Sequence, residues 1–195
     1  LDDSGSLLTV GFNYRFFRGV EGLLRDIHDG VFGEIVSVEM ILGHGGAPAD
    51  QSSWKLDPLL AGGGSLLDPG VHLIDLCRQI APDLQLEYAS SWSGYWNTGI
   101  EEEVTVAFSS KQVPSIIIKS SIVRWRSEFS LRVNGTFGYG LVQGRGRSYG
   151  NQTYVRGKRW GWTDGISQSE SEELICMDEC KDSFIREMAQ LIRPS

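Results

Sequence analysis

The chain has 195 residues, 41% hydrophobic and 22% charged, which suits one globular domain with a sizeable core. Its net charge of -7 argues against a nucleic-acid or anionic-membrane surface, since either needs a basic patch. No run reaches the apolar length of a membrane span, and no signal-peptide pattern opens the chain; Cys77, Cys176 and Cys180, without regular spacing, read as free thiols in a reducing, cytoplasmic compartment.

Residues 7–12 (LLTVGF) form a short β-rich run and read as a strand. Residues 18–28 carry Val20, Leu23, Leu24 and Ile27 at helical spacing, with Gly30 as a stop, and predict an amphipathic helix. Residues 34–42 alternate and predict a strand. A loop follows over residues 43–53, then Trp54, a short turn through Pro58, and three glycines at 62–64. Residues 65–80 read as a helix with Ser65 as its N-cap. From residue 84 the period becomes strand-like. Strands are expected over 85–95, 103–109, 114–123, 129–133 and 139–143, with a weaker one over 152–156. A last helix is expected over 177–192, and Cys176 and Cys180 are spaced to share a helix face.

Helices and strands first, then a long run of strands, then a helix, is an α+β pattern. It predicts one large, mostly antiparallel open sheet with helices on one face. It is not the alternating order of a doubly wound dinucleotide-binding domain. The nearest glycine-rich string, residues 144–150 (GRGRSYG), has the wrong spacing and sits between strands, so it reads as a turn. Arg145, Arg147, Arg156, Lys158 and Arg159 are interleaved with Tyr149, Tyr154, Trp160 and Trp162. The preferred reading is the polar face and turns of strands; the alternative is a phosphate or sugar contact surface.

The chemistry concentrates in residues 62–75, GGGSLLDPGVHLID. At about 100° per residue, Asp68, His72 and Asp75 share one narrow helix stripe, and Gln79 joins them. Both flanks are apolar. Ionisable groups in such surroundings are costly unless paired or used. A carboxylate four residues from an imidazole can orient the ring and stabilise its charged form. The glycines remove side chains where a ligand or another domain could approach. Spacing leaves three readings open: a satisfied structural cluster, a metal site of two carboxylates and a histidine, and acid–base catalysis. His28 and His44 are weaker candidates.

This segment resembles the active-site signature of the glucose–fructose oxidoreductase, inositol dehydrogenase and MocA (Gfo/Idh/MocA) family, roughly G-G-G-x-x-x-D-x-G-x-H-x-x-D, at every fixed position. Residues 10–16 (VGFNYRF) resemble the strand and loop opening that family's second domain. Trp54-Lys55 resembles its Trp-Arg or Trp-Lys pair.

The resemblance implies an NAD(P)-dependent oxidoreductase of sugars, cyclitols or related polyols. The chain would be its C-terminal α+β domain, akin to the C-terminal domains of dihydrodipicolinate reductase and glyceraldehyde-phosphate dehydrogenase. All of residues 1–195 would be one substrate-binding and oligomerisation domain, with the N-terminal Rossmann domain and its catalytic lysine outside the chain. Carried over by position, His72 would be the catalytic acid/base, and Asp68 would orient it or contact substrate. Asp75 would bind a substrate hydroxyl, with Trp54 and Arg15 in the cleft. Asn13 would lie near the nicotinamide, and Lys55 could reach cofactor phosphate. No metal is implied. The expected partners are a small polyol or sugar, NAD or NADP held mainly by the other domain, and a second copy of the chain through the sheet face. The alternative is a non-catalytic ligand-sensing or interaction module of the same fold.

Overall fold

The computed structural model describes residues 8–46, 54–158 and 172–192. Within them, eight strands form one sheet in the order β2-β3-β4-β1-β5-β6-β7-β8. The strands are β1 (Ile35–Gly43), β2 (Gln85–Trp92), β3 (Glu103–Ser109), β4 (Ser115–Ser121), β5 (Glu128–Gly135), β6 (Gly138–Gln143), β7 (Gln152–Lys158) and β8 (Glu172–Asp178). The helices are α1 (Arg18–His28), α2 (Pro58–Ala61), α3 (Val71–Ile80) and α4 (Ser183–Ile192). Only the β1–β4 pairing is parallel; the other strand pairs are antiparallel. This is the α+β architecture expected from the sequence.

The core follows from alternation. In β1, Val38, Met40 and Leu42 are buried while Glu39 points the other way. They pair across β5 with Val133, Leu131 and Phe129, and Val38 and Met40 pair across β4 with Ile116 and Ile118. Helix α1 brings Val20 and Leu23, both fully buried, onto this face, and α3 brings Leu73, Leu76 and Cys77. Each such side chain contributes about 1.5–3 kcal/mol through lost apolar exposure. The opposite sheet face carries exposed Tyr88, Trp92, Ile117 and Met177 beside the charges of Glu39, Lys119 and Arg132.

Three expectations need correction. Residues 8–12 are irregular, and Leu8 and Val10 are exposed: β-propensity without a pairing edge makes no strand. A 3-10 turn over Asn13–Phe16 follows instead. The helix expected from residue 65 starts at Val71. Pro69 has no N–H to donate, and the residue before a proline is pushed out of the helical region; the Asp68–Pro69 peptide is cis. Ser65 is no N-cap. Its hydroxyl donates to the Ser120 carbonyl at 3.2 Å, and the Ser120 hydroxyl donates back to the Ser65 carbonyl, tying this turn to β4. Finally, residues 177–178 end strand β8 rather than open a helix. Cys176 lies in β8 and Cys180 in the following loop, so they share no helix face. Leu7, Arg159, Trp160, Trp162 and most of the expected 43–53 loop lie outside the described residues.

Candidate active site

The glycines before α3 serve packing. A Cβ at Gly64 would lie 2.0 Å from the Glu101 carbonyl oxygen, so only glycine lets these two backbones meet. The Ser65 N–H donates to that same carbonyl at 2.9 Å. Gly62, at φ 73°, is the left-handed residue that ends α2. The N–H groups of Ser65 and Leu66 thus bond to residue 101, while Gly63 and Gly64 line the cavity described next.

From this anchored turn, α3 carries His72 to the wall of a cavity of about 1110 Å³. Asn13, Trp54, Lys55 and Asp68 line the same cavity. Arg15 and Asp75 do not line it. They are bonded to each other: Arg15 Nε donates to Asp75 Oδ2 at 2.6 Å, and its terminal nitrogen donates to Oδ1. Asp75 is 6% exposed, so this ion pair keeps a buried carboxylate satisfied. Lys55 Nζ donates to Asp68 Oδ2 at 2.7 Å at the exposed rim. Asn13 is buried and donates to the Ser183 hydroxyl at 3.2 Å, linking the 3-10 turn to α4.

Neither carboxylate hydrogen-bonds the imidazole, so the four-residue spacing does not produce an Asp–His dyad. His72 is held by rings. Tyr14 stacks on it at 4.1 Å, and Phe12 meets it edge-on at 5.9 Å. Its Nδ1 is buried with no hydrogen-bond partner. Nε2 is bonded to none of the described residues, which leaves it as the nitrogen a cavity ligand can reach. Burial pushes the His72 pKa below its ordinary value; Asp68 and Asp75 pull it back up, and Arg145 adds to the lowering. Burial likewise pushes the Tyr14 phenol well above its ordinary range. The ring at His72 is thus poised neutral near pH 7, able to accept a proton from a hydroxyl.

Among the described residues, no group of three His, Cys, Asp or Glu side chains is placed to hold a metal ion. The carboxylates that a metal reading would use are turned to Lys55 and Arg15.

The cavity also holds residues that the sequence ranked lower or left aside. Tyr14 lay in a motif quoted for its neighbours. His44, a weaker candidate in the sequence, lines the cavity too, with Nδ1 accepting from the Gly46 N–H at 3.0 Å. Arg145 and Arg147, for which the polar face and turns of strands was the preferred reading and a phosphate or sugar contact surface the alternative, come from the β6–β7 loop to the cavity wall. Elsewhere in that basic cluster, Arg156 of β7 pairs with Asp26 of α1 and Glu173 of β8. Only the interleaved tyrosines hinted at this, because loop residues reach distant sites without any periodic signal.

Residues 23–139 match the model of the GFO/IDH/MocA C-terminal domain. Among solved structures, the chain is similar to a 3-ketoreductase from Actinomadura kijaniata in complex with NADP and TDP-benzene. That match has 17% identity and a TM-score of 0.73, covering 95% of this chain and 54% of the other. An inositol dehydrogenase homolog from Azotobacter vinelandii, complexed with NAD+, matches at 21% identity and a TM-score of 0.66, over 85% and 42%. Levoglucosan dehydrogenase with NADH and levoglucosan matches at 20% identity and a TM-score of 0.66, over 80% and 47%. The chain spans about half the length of these proteins, and at such identities the likeness is one of fold. No curated protein matches the chain.

Proposed function

The chain belongs to the GFO/IDH/MocA C-terminal domain family, and from that premise we propose that it is the substrate-binding half of an NAD(P)-dependent oxidoreductase. Its substrate is a sugar, a cyclitol or a related polyol. The observation that carries this reading is His72, half-buried on the wall of a large cavity with Nε2 unbonded to any described residue.

His72 takes the proton of the reacting hydroxyl at Nε2, or returns it in the reverse direction. Asp68, at the rim, contacts the sugar and raises the basicity of the ring, while Lys55 fixes its carboxylate. Trp54 offers an apolar face to the sugar ring. Arg15 and Asp75, joined away from the cavity, position α3 and thereby His72. The nicotinamide of NAD or NADP supplies hydride exchange at the substrate carbon when bound. The cavity is above the usual 300–1000 Å³ of a small-ligand pocket, so a polyol leaves room for the nicotinamide end beside Asn13 and Lys55. Trp54, Leu59, Leu60 and Leu67 are exposed next to it, an apolar rim suited to a nucleotide-binding domain docking there.

The open sheet face, with Tyr88, Trp92 and Ile117 exposed, is the surface on which a second copy of the chain would pack. The free thiols fit a reducing cytoplasm. No helix among the described residues is long and apolar enough to cross a membrane.

The deciding experiment assays the full-length protein on a polyol panel with NAD+ and NADP+. Replacing His72 by Ala should lower kcat by about 100-fold or more, the usual worth of a general base. Normal turnover in that variant removes the catalytic role. One observation favours a second reading, a ligand-sensing module: Nδ1 of His72 has no partner to support the charged ring. Tight sugar binding with no hydride exchange on any substrate would select it.

A further inference from the structure

We propose that Arg145 is the anion-recognition residue of the cavity, and that the substrate therefore carries a carboxylate or a phosphate beside the reacting hydroxyl. The inference rests on the reading of the cavity as a substrate site. It begins from charge. The cavity wall bears Lys55, Arg145, Arg147 and Lys181 against Asp68 and Glu179. Lys55 is paired with Asp68, and Lys181 with Glu179. Two arginines are left over, on the wall of a cavity in a chain of net charge -7.

Arg147 is exposed, but Arg145 is half-buried. Other partly buried arginines meet carboxylates: Arg15 meets Asp75, Arg156 meets Asp26, and Arg186 meets Glu21. Arg145 forms no ion pair and no hydrogen bond with any described residue, and its Nε is buried without an acceptor. A partly desolvated guanidinium without a counter-ion carries a cost, so the arrangement gains from an anion that arrives with the ligand.

Aromatic rings hold the group in place. Its central carbon lies 3.8 Å from the Tyr149 ring centroid and 5.5 Å from that of Tyr14. Stacking of this kind fixes the guanidinium plane while leaving its edge donors unused. A planar fork of free N–H donors matches the two oxygens of a carboxylate or phosphate. Tyr14 also stacks on His72, so one ring sets the spacing between the anion site and the proton acceptor. An acidic group bound at Arg145 thus places a neighbouring carbinol near Nε2. Arg145 also lowers the His72 pKa, so an anion there would return basicity to the ring as substrate binds.

The test uses the full-length protein and matched compounds: glucose, glucuronate and glucose 6-phosphate, then inositol and inositol monophosphate, each with NAD+ and NADP+. The anionic members should exceed their neutral partners in kcat/KM by about 100-fold, the scale of a charge-assisted pair. The carboxylate and phosphate arms separate the two anions. Arg145→Gln should remove most of that preference, mainly through KM, and Arg145→Lys should restore part of it. Equal use of neutral and anionic members, unchanged by Arg145→Gln, overturns the proposal while leaving the oxidoreductase reading intact. Should no compound react, calorimetry on the same set still decides. Anion-selective binding lost in Arg145→Gln upholds this inference and leaves the oxidoreductase reading to fail alone, whereas binding without anion preference overturns it.

Discussion

Tyr14 and His72 lie ring on ring, with centroids 4.1 Å apart and planes 1° from parallel. Tyr14 is 4% exposed, so the pair keeps water from one face of the imidazole. Tyr14→Ala should hydrate that face and raise the His72 pKa toward its ordinary value, because desolvation is the largest influence on it. It should also destabilise the domain by about 3 kcal/mol through the lost ring and the cavity left behind. NMR titration of the imidazole and urea unfolding measure the two effects. An unmoved titration would show that burial by Tyr14 is not what lowers the pKa.

Acid should weaken the fold through the same residue. The folded-state pKa of His72 is below its unfolded value, so on acidification the unfolded chain takes up the proton first. The stability held by the neutral ring is complete above about pH 6.5 and is lost as pH falls through that value toward the folded pKa. Wild type should therefore lose more stability than His72→Gln between pH 7.5 and 5.5. Asp68→Asn should lower the His72 pKa further, since the carboxylate raises it. Parallel losses in wild type and His72→Gln would contradict the first statement, and a raised pKa in Asp68→Asn the second.

Arg15 and Asp75 form a lopsided pair, 39% and 6% exposed. Arg15→Ala leaves a buried carboxylate uncompensated and should cost about 2–3 kcal/mol, less than a fully buried pair because the arginine is partly solvated. The double variant Arg15→Ala, Asp75→Ala should be less destabilised than the sum of the single variants. Additive losses in denaturant unfolding would mean that the two groups do not couple.

Elements with a strong internal period were legible in the sequence. Helix α1 spans the expected residues because Val20, Leu23, Leu24 and Ile27 recur on one face and Gly30 follows. Strand β3 likewise matches, with Val104 and Val106 buried in alternation. Strand β8 was not legible: its residues are mostly exposed, so no apolar alternation marks it. The start of α3 depends on Pro69 and on ties to Glu101 and Ser120, which no helical spacing reveals. The candidate site was half legible. Residues within the signature stood out, whereas Arg145 reaches the cavity only because the sheet carries the β6–β7 loop there.

The glycine signature makes its own prediction. Gly64→Ala drives a Cβ against the backbone of residue 101, where no side chain can swing aside. It should destabilise by about 1–3 kcal/mol, the range of an overpacked site, and should displace the turn that presents α3. Since His72 rides on that helix, kcat should fall along with stability. A variant as stable as wild type would refute the close approach.

Strand β1 lies at the centre of the sheet but early in the chain, and Val38 finds its partners only at Ile116 and Val133. The strands β2 to β4 and β5 to β8 can grow by local hairpins, whereas β1 must close long loops to join them. On the ribosome, β1 emerges with both edges bare and stays so until β4 and then β5 follow. A nascent chain arrested before residue 128 would display one raw edge of its own central strand, an invitation to pair with a neighbouring polypeptide. The order of synthesis thus makes β5 the strand that commits the domain to its own sheet.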